Sequence, residues 1–338
     1  MGVLMNKRHR HFFFSTFCIV FVITIPLFVT AFSQNIPNDM TAAVEAEQPI
    51  VKVFLNKEKK IVSIRLEDYV KGVVSREVSP NFHPEALKAQ ALAVRTYVLR
   101  ILKAKSTLPV ATWGAEAKGA HVSDTVQHQA YVSDQELMKR WGKAFVENNL
   151  KVADAVSATR NKYIAYKGEP IYAAFHSTSN GKTEDAKDYY PGIDESKYPY
   201  LRSVNSEWDK RSPEYQQKCS FNVTDVIDKL QKKFHKTVAA KTFSGTWLSI
   251  VSKTEGNRIA KVRIGDQTFT GREVREALAL PSSDFSCELQ NDQVTFTVRG
   301  FGHGVGMSQW GVNIMGHNGK TYEEMIGHYY QGTTIEKI

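Results

Sequence analysis

Residues 66–78 (LEDYVKGVVSREV) read as a helix whose buried face contains an acid. Tyr69, Val70, Val73, Val74 and Val78 recur at helical spacing and mark one apolar stripe. Advancing about 100° per residue, Glu77 falls inside that stripe, one turn after Val73 and two after Val70. The helix must therefore pack against the body of the protein around a carboxylate. Among valines a carboxylate loses hydration, its charged form is disfavoured, and its pKa rises. That property suits a general acid working near neutral pH. The same spacing equally fits a partly buried glutamate in a structural ion pair with an arginine.

Residues 83–105 (HPEALKAQALAVRTYVLRILKAK) add a second helix. Pro84 suits its first position, Glu85 its positive end, and basic residues crowd its last turns. Leu87, Ala91, Val94, Val98 and Ile101 form its core stripe. Lys88 and Arg95 share another line, with no acid beside them on the helix. They are candidates either for an external anion, such as Glu77 or a substrate oxygen, or for a solvated basic face.

Residues 75–78 (SREV) and 83–97 (HPEALKAQALAVRTY), then 175–184 (FHSTSNGKTE) and 300–311 (GFGHGVGMSQWG), occur in an order that resembles the stage II sporulation protein D family. The resemblance runs from about Val51 to the last residue. It implies a lytic transglycosylase that cuts septal peptidoglycan during engulfment of the forespore, acting with a cell-wall amidase and a polytopic membrane scaffold. It implies Glu77 as the catalytic acid and base, with Lys88, Arg95, His176 and Ser177 in the substrate groove and Tyr190 as its aromatic wall.

The N-terminal segment fits export. Lys7, Arg8 and Arg10 precede residues 12–32, which carry no charge and are long enough, at about 20 residues, to cross a bilayer. An uncleaved signal-anchor is expected, because this apolar stretch exceeds the 7–15 residues usual in a signal peptide. Residues 1–33 then form a cytoplasmic stub and anchor, 34–50 a polar tether, and 51–338 the catalytic domain outside the cytoplasm, facing the septal wall space. The expected architecture is α+β, with mixed antiparallel strands and helices in an elongated two-lobed ectodomain and a lobe insertion at about 205–285. Segments 185–199 and 205–217 read as surface insertions.

A formal charge of +9 suits an anionic wall or membrane surface. Nucleic acid is not expected, since no basic run interleaved with aromatics and no binding motif appears. Cys18 lies in the anchor, leaving Cys219 and Cys287 either to pair or to remain free thiols.

Between the motifs, residues 51–54 and 60–65 read as strands, 134–149 and 148–158 as helices, and 163–175 as a hairpin. Residues 220–234 and 322–330 read as helices, and 248–254, 259–264 and 294–299 as strands. The hydroxyl, amide and imidazole groups of 176–183 suit sugar hydroxyls and acetamido groups, or an ordinary side-chain-capped turn. The glycines of 300–311 match no phosphate loop and suit close backbone packing, with His303 a candidate substrate contact.

No cofactor or metal is expected. Some family relatives carry two cysteines that help bind zinc around the positions of His121–Tyr131, where Ser123 and His128 stand here. His121, Asp124 and His128 remain as weak donors. With one well-placed acid, the implied chemistry is attack of the C6 hydroxyl of N-acetylmuramic acid on its own anomeric carbon. Asp68, Glu85 and Glu184 are conceivable second carboxylates for simple hydrolysis. A non-catalytic glycan-binding activator of an amidase is the alternative.

Overall fold

The computed structural model describes residues 48–238 and 247–338. The expected anchor, nearly all of the tether, and Cys18 lie outside the described residues. Among the described residues no helix is long and apolar enough to cross a membrane.

The chain opens with a hairpin of β1 (Ile50–Leu55) and β2 (Lys60–Arg65), paired from Ile50 with Arg65 to Leu55 with Lys60. Helix α1 (Leu66–Glu77) follows directly, and α2 (Pro84–Lys103) begins after a short turn. His83 caps α2, its Nδ1 accepting from the Glu85 N–H at 3.3 Å, and Pro84 occupies the first turn where no donor is needed. The strand β3 (Val122–Ser123) joins β1 in parallel. Then come α3 (Asp134–Trp141), α4 (Phe145–Ala158), β4 (Lys162–Tyr166), β5 (Glu169–Pro170) and β6 (Phe175–His176).

Within the first part, α2 is the hub. Helices α1 and α4 pack on it, as do α7 (Gln309–His317) and α8 (Tyr322–Tyr329) from the far end of the chain. The stripe expected on α1 is buried, with Tyr69, Val70, Val73 and Val74 at 0% exposure. Together with Val51, Leu87, Ala91, Val94, Ile164, Met307 and Met325 it makes one hydrophobic core.

A second core lies between β7 (Gln216–Asn222) and β12 (Gln293–Arg299). It contains helices α5 (Val223–Phe234) and α6 (Gly271–Leu278) and two small antiparallel sheets, in orders β11–β12–β7 and β10–β9–β8. Here β8 is Leu248–Lys253, β9 Ile259–Ile264, β10 Gln267–Phe269 and β11 Asp284–Gln290. Val226, Leu230, Val262, Phe269, Val274, Phe285 and Phe296 fill it.

The fold is α+β, as the sequence implies, with mainly antiparallel pairing. Several local expectations change. The helix expected over 134–149 stops at Trp141, and a 3-10 turn leads into α4. Residues 216–222 form a strand before α5 begins. The hairpin expected over 163–175 forms between β4 and β5, but its return strand is short, and β6 pairs instead in parallel with β13 (Met307–Ser308). Segment 205–217 is not a surface insertion, because Ser206, Asp209 and Ser212 are buried. Cys219 and Cys287 face opposite edges of the same residue, Phe296 on the central strand. Two strand spacings, about 9–10 Å, separate them, beyond the reach of a disulfide, and both are free thiols.

Candidate active site

Glu77 is the last residue of α1, half-buried beside its valines. Burial raises its carboxyl pKa. Three groups pull the other way: the Ala130 N–H, which donates to Oε1 at 3.0 Å, the nearby Arg76, and the Gln309 side chain. Gln309 Nε2 nevertheless has no well-formed hydrogen bond. No arginine is bound to Glu77 among the described residues, so the structural ion pair that the spacing also allowed does not form there.

The Ala130 amide comes from a segment pressed against α1. Tyr131 stacks on Tyr69 at 5.9 Å between ring centres, and Tyr69 donates to Gln129 Oε1 at 3.2 Å. Gly72 makes this approach possible, since a Cβ there would lie 2.5 Å from the Tyr131 ring and from the Val132 carbonyl oxygen.

The upstream half of the same segment does not fit zinc. His121 Nδ1 accepts from the Lys52 N–H at 3.0 Å, and Asp124 Oδ1 accepts from the Asn56 N–H at 3.0 Å. Ser123 Oγ lies 3.0 Å from His128 Nδ1 and 2.9 Å from Thr125 Oγ1. One atom of each of these side chains ties the loop to β1 or to itself, and a neutral hydroxyl stands in place of a thiolate. Among the described residues no group of three His, Cys, Asp or Glu side chains could hold a metal ion.

The two later motifs interlock. Beyond the β6–β13 pairing, Thr178 and Phe301 exchange backbone hydrogen bonds of 2.9 and 2.7 Å. Gly304, at φ +86°, lies against Arg258, where a Cβ would sit 2.3 Å from the guanidinium carbon. The glycines of this motif thus serve close packing, as expected. Ser177 accepts the Trp310 N–H at 2.9 Å through its carbonyl, which ties the second motif to the start of α7. Trp310 packs on Phe82 at 4.9 Å, and the His83 N–H donates to Asn313 at 2.8 Å, fixing α7 to the α1–α2 turn.

His176 is buried and its ring packs on His303 at 5.6 Å. Burial holds both imidazoles well below the usual histidine range, His303 at about 3. Both are therefore neutral at physiological pH. His176 Nδ1 lies 3.3 Å from the Val305 carbonyl and its Nε2 has no partner. His303 continues to Tyr189 at 5.4 Å and Tyr190 at 6.3 Å.

The two cations of α2 do not join this arrangement. Arg95 is completely buried, which corrects its expected place in a groove. Its Nε and Nη2 donate to the Glu67 carboxylate at 3.0 and 2.6 Å, and other donors reach Thr159 and the Val156 and Lys162 carbonyls. The acid absent from its own helix is supplied by the first turn of α1. Lys88 is bound at 2.6 Å to Glu85, one turn earlier on its own helix, which corrects the expectation that no acid stands beside it there. It lies 5.8 Å over the Tyr322 ring, on the side of α2 facing α8.

None of the conceivable second carboxylates joins Glu77 either. Asp68 pairs with Arg65 at 2.8 Å. Glu85 also accepts the Tyr322 N–H at 2.8 Å. Glu184 accepts from Thr254 Oγ1 at 2.7 Å and the Gly256 N–H at 3.0 Å, with Arg258 at 3.9 Å.

One residue escapes sequence reasoning. Asp209, at 0% exposure, accepts from Ser179, Ser206 and Ser308 at 2.7, 2.6 and 2.8 Å. It ties the second motif to the third, and burial pushes its pKa up to about 6 against those hydroxyls. No local pattern marks it, since a lone acid in a polar run looks solvated.

Comparison with known proteins identifies the family. The SpoIID family model, described as stage II sporulation protein, matches residues 55–166. The chain is 39% identical over 308 residues to stage II sporulation protein D of Bacillus subtilis (strain 168), covering 91% of this chain and 85% of that protein. It is 40% identical over 292 residues to stage II sporulation protein D of Bacillus amyloliquefaciens, covering 86% and 80%. A more distant relative, the amidase enhancer of Bacillus subtilis (strain 168), is 26% identical over 315 residues, which are 79% of this chain but 40% of that protein. The chain belongs to the stage II sporulation protein D family.

Proposed function

We propose that this protein is a peptidoglycan lytic transglycosylase, tethered to the cell membrane by residues 12–32 with the described domain outside the cytoplasm. The observation that carries this reading is Glu77: a half-buried acid with a raised pKa, held by the Ala130 N–H, with no second carboxylate beside it among the described residues. Glycosidases of the usual kind need two carboxylates, one to protonate the leaving oxygen and one to attack or to activate water. A single acid suffices when the nucleophile belongs to the substrate.

Glu77 protonates the oxygen leaving toward N-acetylglucosamine and then, as carboxylate, takes the proton of the muramyl C6 hydroxyl as that oxygen closes on C1. One C–O bond breaks, one forms, and no water is consumed. The neutral imidazoles, the Ser177 hydroxyl and Tyr190 supply donors, acceptors and an apolar face without adding charge. In sporulation, such cutting would remodel septal wall during engulfment, alongside an amidase and a membrane scaffold.

Mass spectrometry of purified glycan strands incubated with the protein tests the reading. Products end in anhydro-muramic residues, about 18 Da lighter than hydrolysed ends because the C6 hydroxyl replaces water as nucleophile. Reducing muramic ends alone would make this a hydrolase. The relative named amidase enhancer favours a second reading, in which the domain binds glycan and activates an amidase. Intact strands together with a stimulated amidase would support it.

A further inference from the structure

Apart from Tyr190, segment 185–199, acidic and aromatic, is not absorbed by the chemistry at Glu77. It folds back onto the C-terminal half of α2 and closes a cavity of about 370 Å³, lined among others by Tyr97, Arg100, Tyr172, Tyr190, Ile193 and Tyr198. That volume falls in the range of about 300–1,000 Å³ typical of small-ligand sites.

Arg100 is the unusual member. Its guanidinium lies 5.2 Å from the Tyr198 ring centre and 5.9 Å from that of Tyr172, and Nη2 donates to the Tyr198 hydroxyl at 3.1 Å. Among the described residues no carboxylate forms an ion pair with it, although most other partly buried cations here have one. A guanidinium fixed between phenol faces, with donors to spare, is prepared for an anion. The phenol faces beside it suit the apolar face of a pyranose, and their hydroxyls suit its polar edge. Tyr190 lines this cavity and also packs 6.3 Å from His303, which joins the cavity to the paired second and third motifs.

We propose that this cavity is a secondary glycan subsite that takes a muramyl residue away from the cleaved bond, with the lactyl carboxylate on Arg100 and the sugar ring on the tyrosines. The proposal rests on the glycan-cleaving reading for its ligand. It predicts a preference for strands without stem peptides, since a peptide on the lactyl group removes the charge that Arg100 recognises.

Ligand-observed NMR on the full-length Glu77→Gln protein tests binding apart from cleavage. N-acetylmuramic acid should bind, N-acetylglucosamine, which lacks the carboxylate, should bind much more weakly, and Arg100→Gln should weaken the former by about tenfold or more and erase the difference. Arg100→Lys, which keeps the charge and loses the two-pronged contact, should fall between, and serves if the glutamine variant does not fold. Equal binding of the two sugars, or a preference that survives Arg100→Gln, would overturn the subsite. So would displacement of the sugar by a free stem peptide at equal concentration. The proposed reaction fails by a different result, namely full turnover in Glu77→Gln, which leaves the sugar preference standing.

Discussion

The two ends of α1 hold two glutamates in opposite ways. At the first turn, Glu67 is buried and accepts from Nε and Nη2 of Arg95, while Nη1 reaches Thr159 and the Lys162 carbonyl and Nη2 also reaches the Val156 carbonyl. At the last residue, Glu77 is half-buried against a single backbone N–H and an imperfectly placed amide, with no cation bound to it among the described residues. The first arrangement leaves nothing to react, because every charge is answered inside the protein. The second keeps an acid at a raised pKa, which is an unfavourable state unless something outside the protein uses it.

Removing Glu77 gives the largest expected effect. Glu77→Gln should reduce turnover by about 100-fold or more while the fold survives. It should also raise the melting temperature at pH 7. A raised folded pKa means that wild-type stability declines as pH climbs from the unfolded carboxylate value through the folded one, and glutamine lacks that decline. The stability gain should vanish in acid, where both forms are neutral. Unchanged turnover in a folded variant breaks the comparison.

Arg95→Ala should instead cost about 3–5 kcal/mol of stability by stranding Glu67. Replacing both partners, Arg95→Met with Glu67→Leu, should recover most of that loss, as apolar replacements of buried pairs often do. Thermal melting reads both. Activity lost by Arg95→Met/Glu67→Leu at a wild-type melting temperature would return Arg95 to the reaction.

Asp209 is the intermediate case, a buried acid answered by three hydroxyls and the Ser179 backbone N–H. Asp209→Ala leaves three serine hydroxyls without their acceptor and should cost about 1–3 kcal/mol, measured by denaturant unfolding. With a folded pKa of about 6, wild-type stability should decline as pH rises from near 4 toward 6, and Asp209→Asn should flatten that slope. The smallest effect belongs to Gln309→Met. Loss of an amide that favours the Glu77 carboxylate raises the acid's pKa further, so the falling alkaline limb of the pH–rate profile should move slightly upward. Movement in the other direction would show that Gln309 stabilises the protonated form.

What was legible in the sequence was what repeats locally. The α1 stripe, the Pro84 start of α2 and the β1–β2 hairpin follow from period and turn chemistry within a few residues, and the structure bears them out. The partners of the charges were not legible. Lys88 and Arg95 share a helical line, yet α4 and the start of β4 cover one and α8 borders the other. Ala130, which holds Glu77, offers only a backbone N–H, and any non-proline residue would supply the same atom. Asp209 sits in a run whose polarity imitates a solvated loop, although its serines point inward.

The fastening of α7 to the α1–α2 turn has a consequence for the order of events during folding. His83 and Asn313 are 230 positions apart, and the helix they fasten carries Gln309 to Glu77. Contacts of such sequence separation form late, after the entropy of closing a long loop has been overcome. A chain emerging from its N-terminus folds α1 and α2 well before the segment that completes the surroundings of Glu77 exists. The acid therefore acquires its final setting only when almost the whole polypeptide has been delivered, and a chain truncated before residue 300 should carry Glu77 without its working environment.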